Sequence, residues 1–267
     1  LKQRSVSAKI AIDMFAVQTG WALWYLGIVT MIQIVRLIFS AKNGSRSEDF
    51  FLSTGQSANI FMFVLGILAV YAFMPAFIRN GVTRKEFFKG GIAAAAGLAL
   101  ALPLIAGVMA LAERSLVRLA DLPVSYHSAD MIDSGGDSPS SWVGTIIRMI
   151  IVPVFDIPLA DLQENGLLAI ALHALNLAFF YLSGWLIGAG FYRYGGPAGL
   201  GFIVLALFFF HLRAFLWKKE AAESLKQWLP VDTFSIPLPG FIFASLALIF
   251  IMAWLIRLLT RRVAVKL

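Results

Sequence analysis

Six stretches of this chain are too long and too continuously apolar for the core of a water-soluble protein. They are Trp21–Phe39, Ala58–Ile78, Gly90–Ala112, Gly166–Ile187, Ala198–Trp217 and Phe241–Leu259. The last reaches Leu259 by letting Arg257 extend its stem toward the interface. None of the six contains Asp or Glu. A helix crossing ~30 Å of hydrocarbon needs ~20 mostly apolar residues, and each run meets or approaches that length. Hydrocarbon offers no partner to a backbone N–H or C=O, which leaves only α-helices or closed barrels. Barrel strands alternate apolar and polar residues, whereas these runs do not. The expected fold is an all-α integral membrane protein with six transmembrane helices, forming a single transmembrane domain over 1–267.

Composition agrees. Of 267 residues, 60% are apolar and 14% are charged, against about 25% charged in soluble domains. That excludes an ordinary soluble globule, a disordered chain and a nucleic-acid-binding module. The net charge of +7 is then a topology signal. The absence of cysteine rules out disulfides, thiolate metal sites and cysteine nucleophiles. No short apolar core followed by a small-residue cleavage site stands out, so no removable signal peptide is expected.

With an even number of spans both termini share one side. The segments 1–20, 79–89, 188–197 and 257–267 on that side hold 12 Lys/Arg in 52 residues, against 8 in 94 for 40–57, 113–165 and 218–240. Basic density is more than twofold higher on the terminal side, which the positive-inside rule makes cytoplasmic. The external loop 113–165 contains its own apolar run, Trp142–Phe155. That run is short, carries Arg148 and is closed by Pro153 and Pro158, so it reads as a helix lying on or dipping into the outer leaflet. Before the first span, Val6, Ile10, Met14 and Val17 fall at helical spacing among Lys2, Arg4, Lys9 and Asp13. This pattern predicts an amphipathic N-terminal interfacial helix within 1–20.

Between spans two and three, Asn80-Gly81 marks a turn. Thr83 and Glu86 then have the spacing of a capping box, which predicts a short helix starting there. That helix would carry Arg84, Lys85, Phe87, Phe88 and Lys89. Two phenylalanines facing the cytosol imply a docked partner; the alternative folds both rings back into the interface as anchors. Within the spans, His173, Asn176 and Ser183 fall roughly on one face. The stripe reads first as interhelical hydrogen bonding, each bond contributing ~1 kcal/mol, and alternatively as a polar translocation pathway. His211 and Arg213 read as interface anchors, with the same pathway reading for His211. Ala93, Gly97 and Ala101 suggest a small-residue packing seam. Trp21, Trp24, Trp185 and Trp217 suggest interfacial belts. Asp130, Asp133 and Asp137 lack the full calcium-loop pattern, so a solvated loop is expected there.

The segment Gly81-Val82-Thr83-Arg84-Lys85-Glu86-Phe87-Phe88-Lys89-Gly90 resembles the loop between spans two and three of the permease subunits of bacterial ABC transporters of the ABC-two exporter type. The second cytoplasmic loop, Gly190-Phe191-Tyr192-Arg193-Tyr194-Gly195-Gly196, is similar to an aromatic–Arg–aromatic–Gly segment of some Firmicute members. Six spans, both termini inside and an amphipathic N-terminal helix match the family architecture, although the external loop 113–165 is long for it. The resemblance implies ATPase coupling through Thr83, Arg84, Lys85, Glu86, Phe87, Phe88, Tyr192, Arg193 and Tyr194. It implies a bacterial cytoplasmic membrane location, cytosolic ABC ATPase subunits as partners, and a second permease copy or a related permease. It also implies export of an amphipathic, peptide or lipid-like compound. No Gly-x-x-x-x-Gly-Lys-Ser/Thr loop occurs in the chain, so ATP and Mg are expected on the partner subunit and no cofactor in this one. The alternatives are an ion-gradient-driven secondary transporter, disfavoured by acid-free spans, and a non-transporting membrane assembly or sensor subunit.

Overall fold

Helix α1, Val6–Asn43, opens the chain and runs 38 residues without interruption. The computed structural model describes residues 5–43, 46–47, 49–121, 124–126, 162, 165–217 and 237–261. Five more long helices follow: α2 Phe50–Arg79, α3 Arg84–Leu119, α4 Gly166–Tyr194, α5 Gly196–Trp217 and α6 Leu238–Thr260. All six are long and apolar enough to cross a membrane. Two short strands, β1 Arg46–Ser47 and β2 Ser125–Tyr126, pair in parallel, Arg46 opposite Ser125 and Ser47 opposite Tyr126. The architecture is an all-α, six-span bundle. The apolar run Trp142–Phe155, the aspartates Asp130, Asp133 and Asp137, and most of the loop 113–165 lie outside the described residues.

Two helices differ from expectation. The stretch expected to form a separate interfacial helix within 1–20 is, from Val6 onward, the first part of α1 and continuous with the first span. No proline interrupts it, and at 1.5 Å per residue α1 is about 57 Å long, well beyond the hydrocarbon thickness. Its early turns pack on α3. Ile10 and Met14 are buried, and a Cβ at Gly90 would lie 2.7 Å from the Ile10 side chain. Likewise the helix capped by Thr83 is not a short free-standing element. It is the beginning of α3, which continues for 36 residues through the third span.

Helix α2 contains a single π turn, Ala69–Phe73, between regular segments Phe50–Leu68 and Met74–Arg79. Pro75 explains it. Proline has no N–H, and its ring collides with the carbonyl four residues back. Widening the turn by one residue moves that carbonyl away from the ring, and the Met74 N–H reaches the Ala69 carbonyl.

Helix α4 is the hub of the bundle, with neighbours α2, α3, α5 and α6. It crosses α2 backbone against backbone. A Cβ at Gly184 would run into the Phe63 carbonyl, and one at Gly66 into the Tyr181 carbonyl. One turn on, Gly188 meets the Ile67 backbone at 3.3 Å. Close approach of this kind replaces hydrophobic driving force with dispersion and weak Cα–H···O contacts inside lipid. The small-residue seam of α3 sits beside the expected one. Gly91, Ala94, Ala95 and Ala99 are buried, whereas Ala93 is exposed. Trp21 and Trp24 are exposed on α1, and the Trp217 side chain lies outside the described residues. Trp185 is instead fully buried at the bundle centre.

Candidate functional site

Chemistry-bearing side chains gather at three levels: the end holding Thr83 and Gly195, the bundle interior, and the opposite end holding Asp49 and Glu113.

At the first end, Thr83 caps α3 through its side chain. Its Oγ accepts from the Glu86 N–H at 3.2 Å and donates to the Glu86 carboxylate at 2.9 Å. Gly81, at φ +81°, makes the preceding turn. Lys85 and Lys89 are exposed, and Arg84 is half-buried. Phe87 is only 1% exposed, which corrects the expectation of an outward-facing aromatic pair. Its ring lies 6.0 Å from both Phe77 and Trp185. Phe88 is half-buried, 5.9 Å from Trp185, with the Arg257 guanidinium over its ring at 5.6 Å. Gly91 permits this arrangement, since a Cβ there would lie 2.6 Å from the Trp185 ring. The aromatic pair thus wedges the start of α3 against α4.

The second turn at this end is a single residue. Gly195, at φ +80°, separates α4 from α5, a conformation that side chains oppose. Tyr192 is buried and packs edge-on against Tyr71 at 5.7 Å. Tyr194 is exposed and stacks on Phe202 at 5.9 Å. Arg193 reaches across to α6, where Nη1 donates to the Leu258 and Leu259 carbonyls at 3.0 Å each. Those carbonyls belong to the last described turn of α6, where helix carbonyls run out of intrahelical donors. Arg257 Nη1 in turn donates to the Arg84 carbonyl at 3.4 Å. Both turns at this end are therefore tied to the C-terminal end of α6.

In the interior, His173 and Asn176 are buried on α4. Asn176 Nδ2 donates to Asn59 Oδ1 of α2 at 2.7 Å, and Gln18 Nε2 of α1 donates to the Tyr181 hydroxyl at 2.9 Å. The His173 ring faces Phe51 at 5.3 Å. Ser183 donates to its own helix at the Phe179 carbonyl, 2.8 Å away. His211 Nδ1 likewise bonds to the Leu207 carbonyl of α5 at 2.8 Å. Of the four pathway candidates, Asn176 makes an interhelical hydrogen bond of the kind the sequence suggested. Arg213 is buried with its guanidinium 5.0 Å from the Phe179 ring.

The opposite end holds a cluster that sequence reasoning missed. Asp49 is buried, caps α2 by accepting from the Leu52 N–H at 2.8 Å, and pairs with Arg114 of α3. The neighbouring Glu113 accepts from Gln33 of α1 at 3.2 Å. The Arg114 guanidinium also lies over the Tyr126 ring of β2 at 5.8 Å. Burial and the adjacent Glu113 carboxylate raise the Tyr126 phenol above its ordinary range. Only the Glu113-Arg114 dipeptide at the end of a long apolar run hinted at this clasp. Its partners are 65 and 80 residues away.

Among the described residues, no three His, Asp or Glu side chains lie together as metal ligands. The chain is a multi-pass, all-α membrane protein with six apolar spanning helices. In comparisons with protein-family models, curated proteins and solved structures, none matches this chain.

Proposed function

We propose that this chain is the permease subunit of an ATP-driven exporter of the ABC-two type. In this reading it moves an amphipathic, peptide or lipid-like compound across a bacterial cytoplasmic membrane, with both termini cytoplasmic. Separate ATPase subunits supply the energy, and a second permease copy or a related permease completes the transporter. The observation that carries the reading is the rigid start of α3. It is capped by Thr83, presents Lys85 and Lys89 to solvent, and is locked through Phe87 and Phe88 onto Trp185 of α4. A push on this turn moves the hub helix as a body, which suits the rigid-body transitions of alternating access. Docking falls to the exposed bases Lys85 and Lys89, with Arg84 beside them. Phe87, Phe88 and Tyr192 serve as the internal linkage, and Arg193 holds the second turn against α6.

The test is co-purification with the ATPase subunit and measurement of its coupled hydrolysis. Lys85→Glu with Lys89→Glu is expected to release the ATPase while the permease stays inserted. Undiminished capture would count against docking there. Full transport by the purified chain alone, without nucleotide, would overturn the reading. That last outcome would favour an ion-driven carrier, a reading supported by the buried Glu113 beside Gln33.

A further inference from the structure

We infer that the C-terminal end of α6 is a binding site for one anionic phospholipid, with its phosphate held by Arg193 and Arg257 and its acyl chain lying along α6. Three observations meet at this place. The first is charge. Arg193 from α4 sits on the Leu258 and Leu259 carbonyls, Arg257 sits on the Arg84 carbonyl, and Arg261 follows at the helix end. The described hydrogen-bond partners of the Arg193 and Arg257 side chains are backbone carbonyls, and among the described residues neither pairs with a carboxylate. The nearest acid in the adjoining turn, Glu86, is engaged by Thr83. The sequence adds Arg262 and Lys266 beyond, with no acid. The helix dipole and carbonyls offset part of this charge; an anion offsets the rest.

The second observation is preorganisation. One nitrogen of each guanidinium is fixed by a carbonyl, and the Arg257 and Arg193 planes lie near the Phe88 and Tyr194 rings at 5.6 and 5.0 Å. Each guanidinium carries five N–H donors in a rigid fork, so donors remain on both half-buried side chains. Such forks match the oxygens of a phosphodiester.

The third observation selects a lipid over a soluble anion or an acidic protein. Phe250, Trp254 and Leu258 recur every four residues along α6 and are exposed at 73%, 56% and 42%. They form an apolar track that ends at the arginine pair. A ligand with an anionic head and a hydrocarbon tail matches both features at once, and basic pockets between helices at the cytoplasmic surface suit anionic headgroups.

The full chain, purified and placed in nanodiscs of equal phosphatidylglycerol and phosphatidylcholine, is then released for native mass spectrometry. Wild type is expected to retain one phosphatidylglycerol in preference to phosphatidylcholine by about tenfold or more, the effect of one charge-assisted interaction. Arg193→Gln with Arg257→Gln should abolish that preference. Lys9→Gln with Arg79→Gln, which removes the same charge elsewhere at this end, should keep it. Equal retention of both lipids by wild type, or equal loss in the two double variants, would overturn the site. Displacement of the bound lipid by millimolar glycerol 3-phosphate alone would overturn the lipid assignment in favour of a soluble phosphate. Should the double glutamine variant fail to fold, the wild-type lipid preference and the glycerol phosphate competition still decide the matter.

Discussion

The two ends of the bundle handle charge in opposite ways. At the Asp49 end, base and acid are spent on each other inside the protein. Arg114 is 12% exposed and Asp49 2%, and the pair joins α3 to the start of α2 while Glu113 reaches α1. At the Thr83 end, guanidiniums rest on backbone carbonyls and aromatic rings, and their charge stays available. The difference teaches what each end is built for. A buried pair fixes one arrangement of helices, because separating it strands an ion. A carbonyl-seated arginine positions itself without being neutralised, so it can still attract a partner from outside.

The largest effect belongs to the crossing that connects the two ends. Gly184→Val would force a branched side chain into the Phe63 backbone, and no rotamer relieves a backbone collision. We expect loss of the folded, detergent-stable protein, read as aggregation on size-exclusion chromatography. A monodisperse Gly184→Val protein would mean that α2 and α4 can part without unfolding, and the ends would then be independent bodies.

Next comes Arg114→Leu. Removing the base leaves the Asp49 carboxylate buried without its ionic partner and Glu113 beside it. Breaking a buried pair in this way costs about 3 kcal/mol. Restoring most of that loss with Asp49→Asn in the Arg114→Leu background would sharpen the assignment, because an amide keeps the side-chain acceptor for the Leu52 N–H. Denaturation in mild detergent measures both.

Thr83→Ala should cost about 1 kcal/mol, the usual loss when a capping side chain is removed. Exchange of the Glu86 amide with deuterium should quicken accordingly. An unchanged rate would show that the turn at Gly81 holds α3 without the cap.

How much of this was legible follows from where each constraint resides. The six spans were, because lipid demands long apolar helices and the runs carry their own evidence. The Thr83 cap was, because its partner is three residues away. The lengths of α1 and α3 were not. A boundary needs a proline, a cap or a turn, and nothing of the kind interrupts Val6–Asn43. The burial of Phe87 and Trp185 was not, since each is the other's environment and they are far apart in sequence. Gly184 and Gly188 do have the small-xxx-small spacing, yet Ala93, Gly97 and Ala101 had it too. Only the partner surface on α2 decides between the two sets. The Asp49–Arg114 clasp was invisible because charged residues outside apolar runs look like loop residues until the helices assemble.

The smallest effect separates the ends most cleanly. Arg257→Gln removes a full charge, as Arg114→Leu does, but takes away only a 3.4 Å hydrogen bond to the Arg84 carbonyl and contact with the Phe88 ring. The side chain is half-buried, and no carboxylate is left behind. Water and detergent headgroups can serve the freed carbonyl, so the expected loss is under ~0.5 kcal/mol in a zwitterionic detergent. Loss of the same single positive charge makes the comparison strict at the other end, where the same denaturation assay should register at least about six times as much, given the ~3 kcal/mol expected for the buried pair. If Arg257→Gln proved as damaging as Arg114→Leu, the arginine would be structural cement, and the charge at this end would no longer be free to recruit anything.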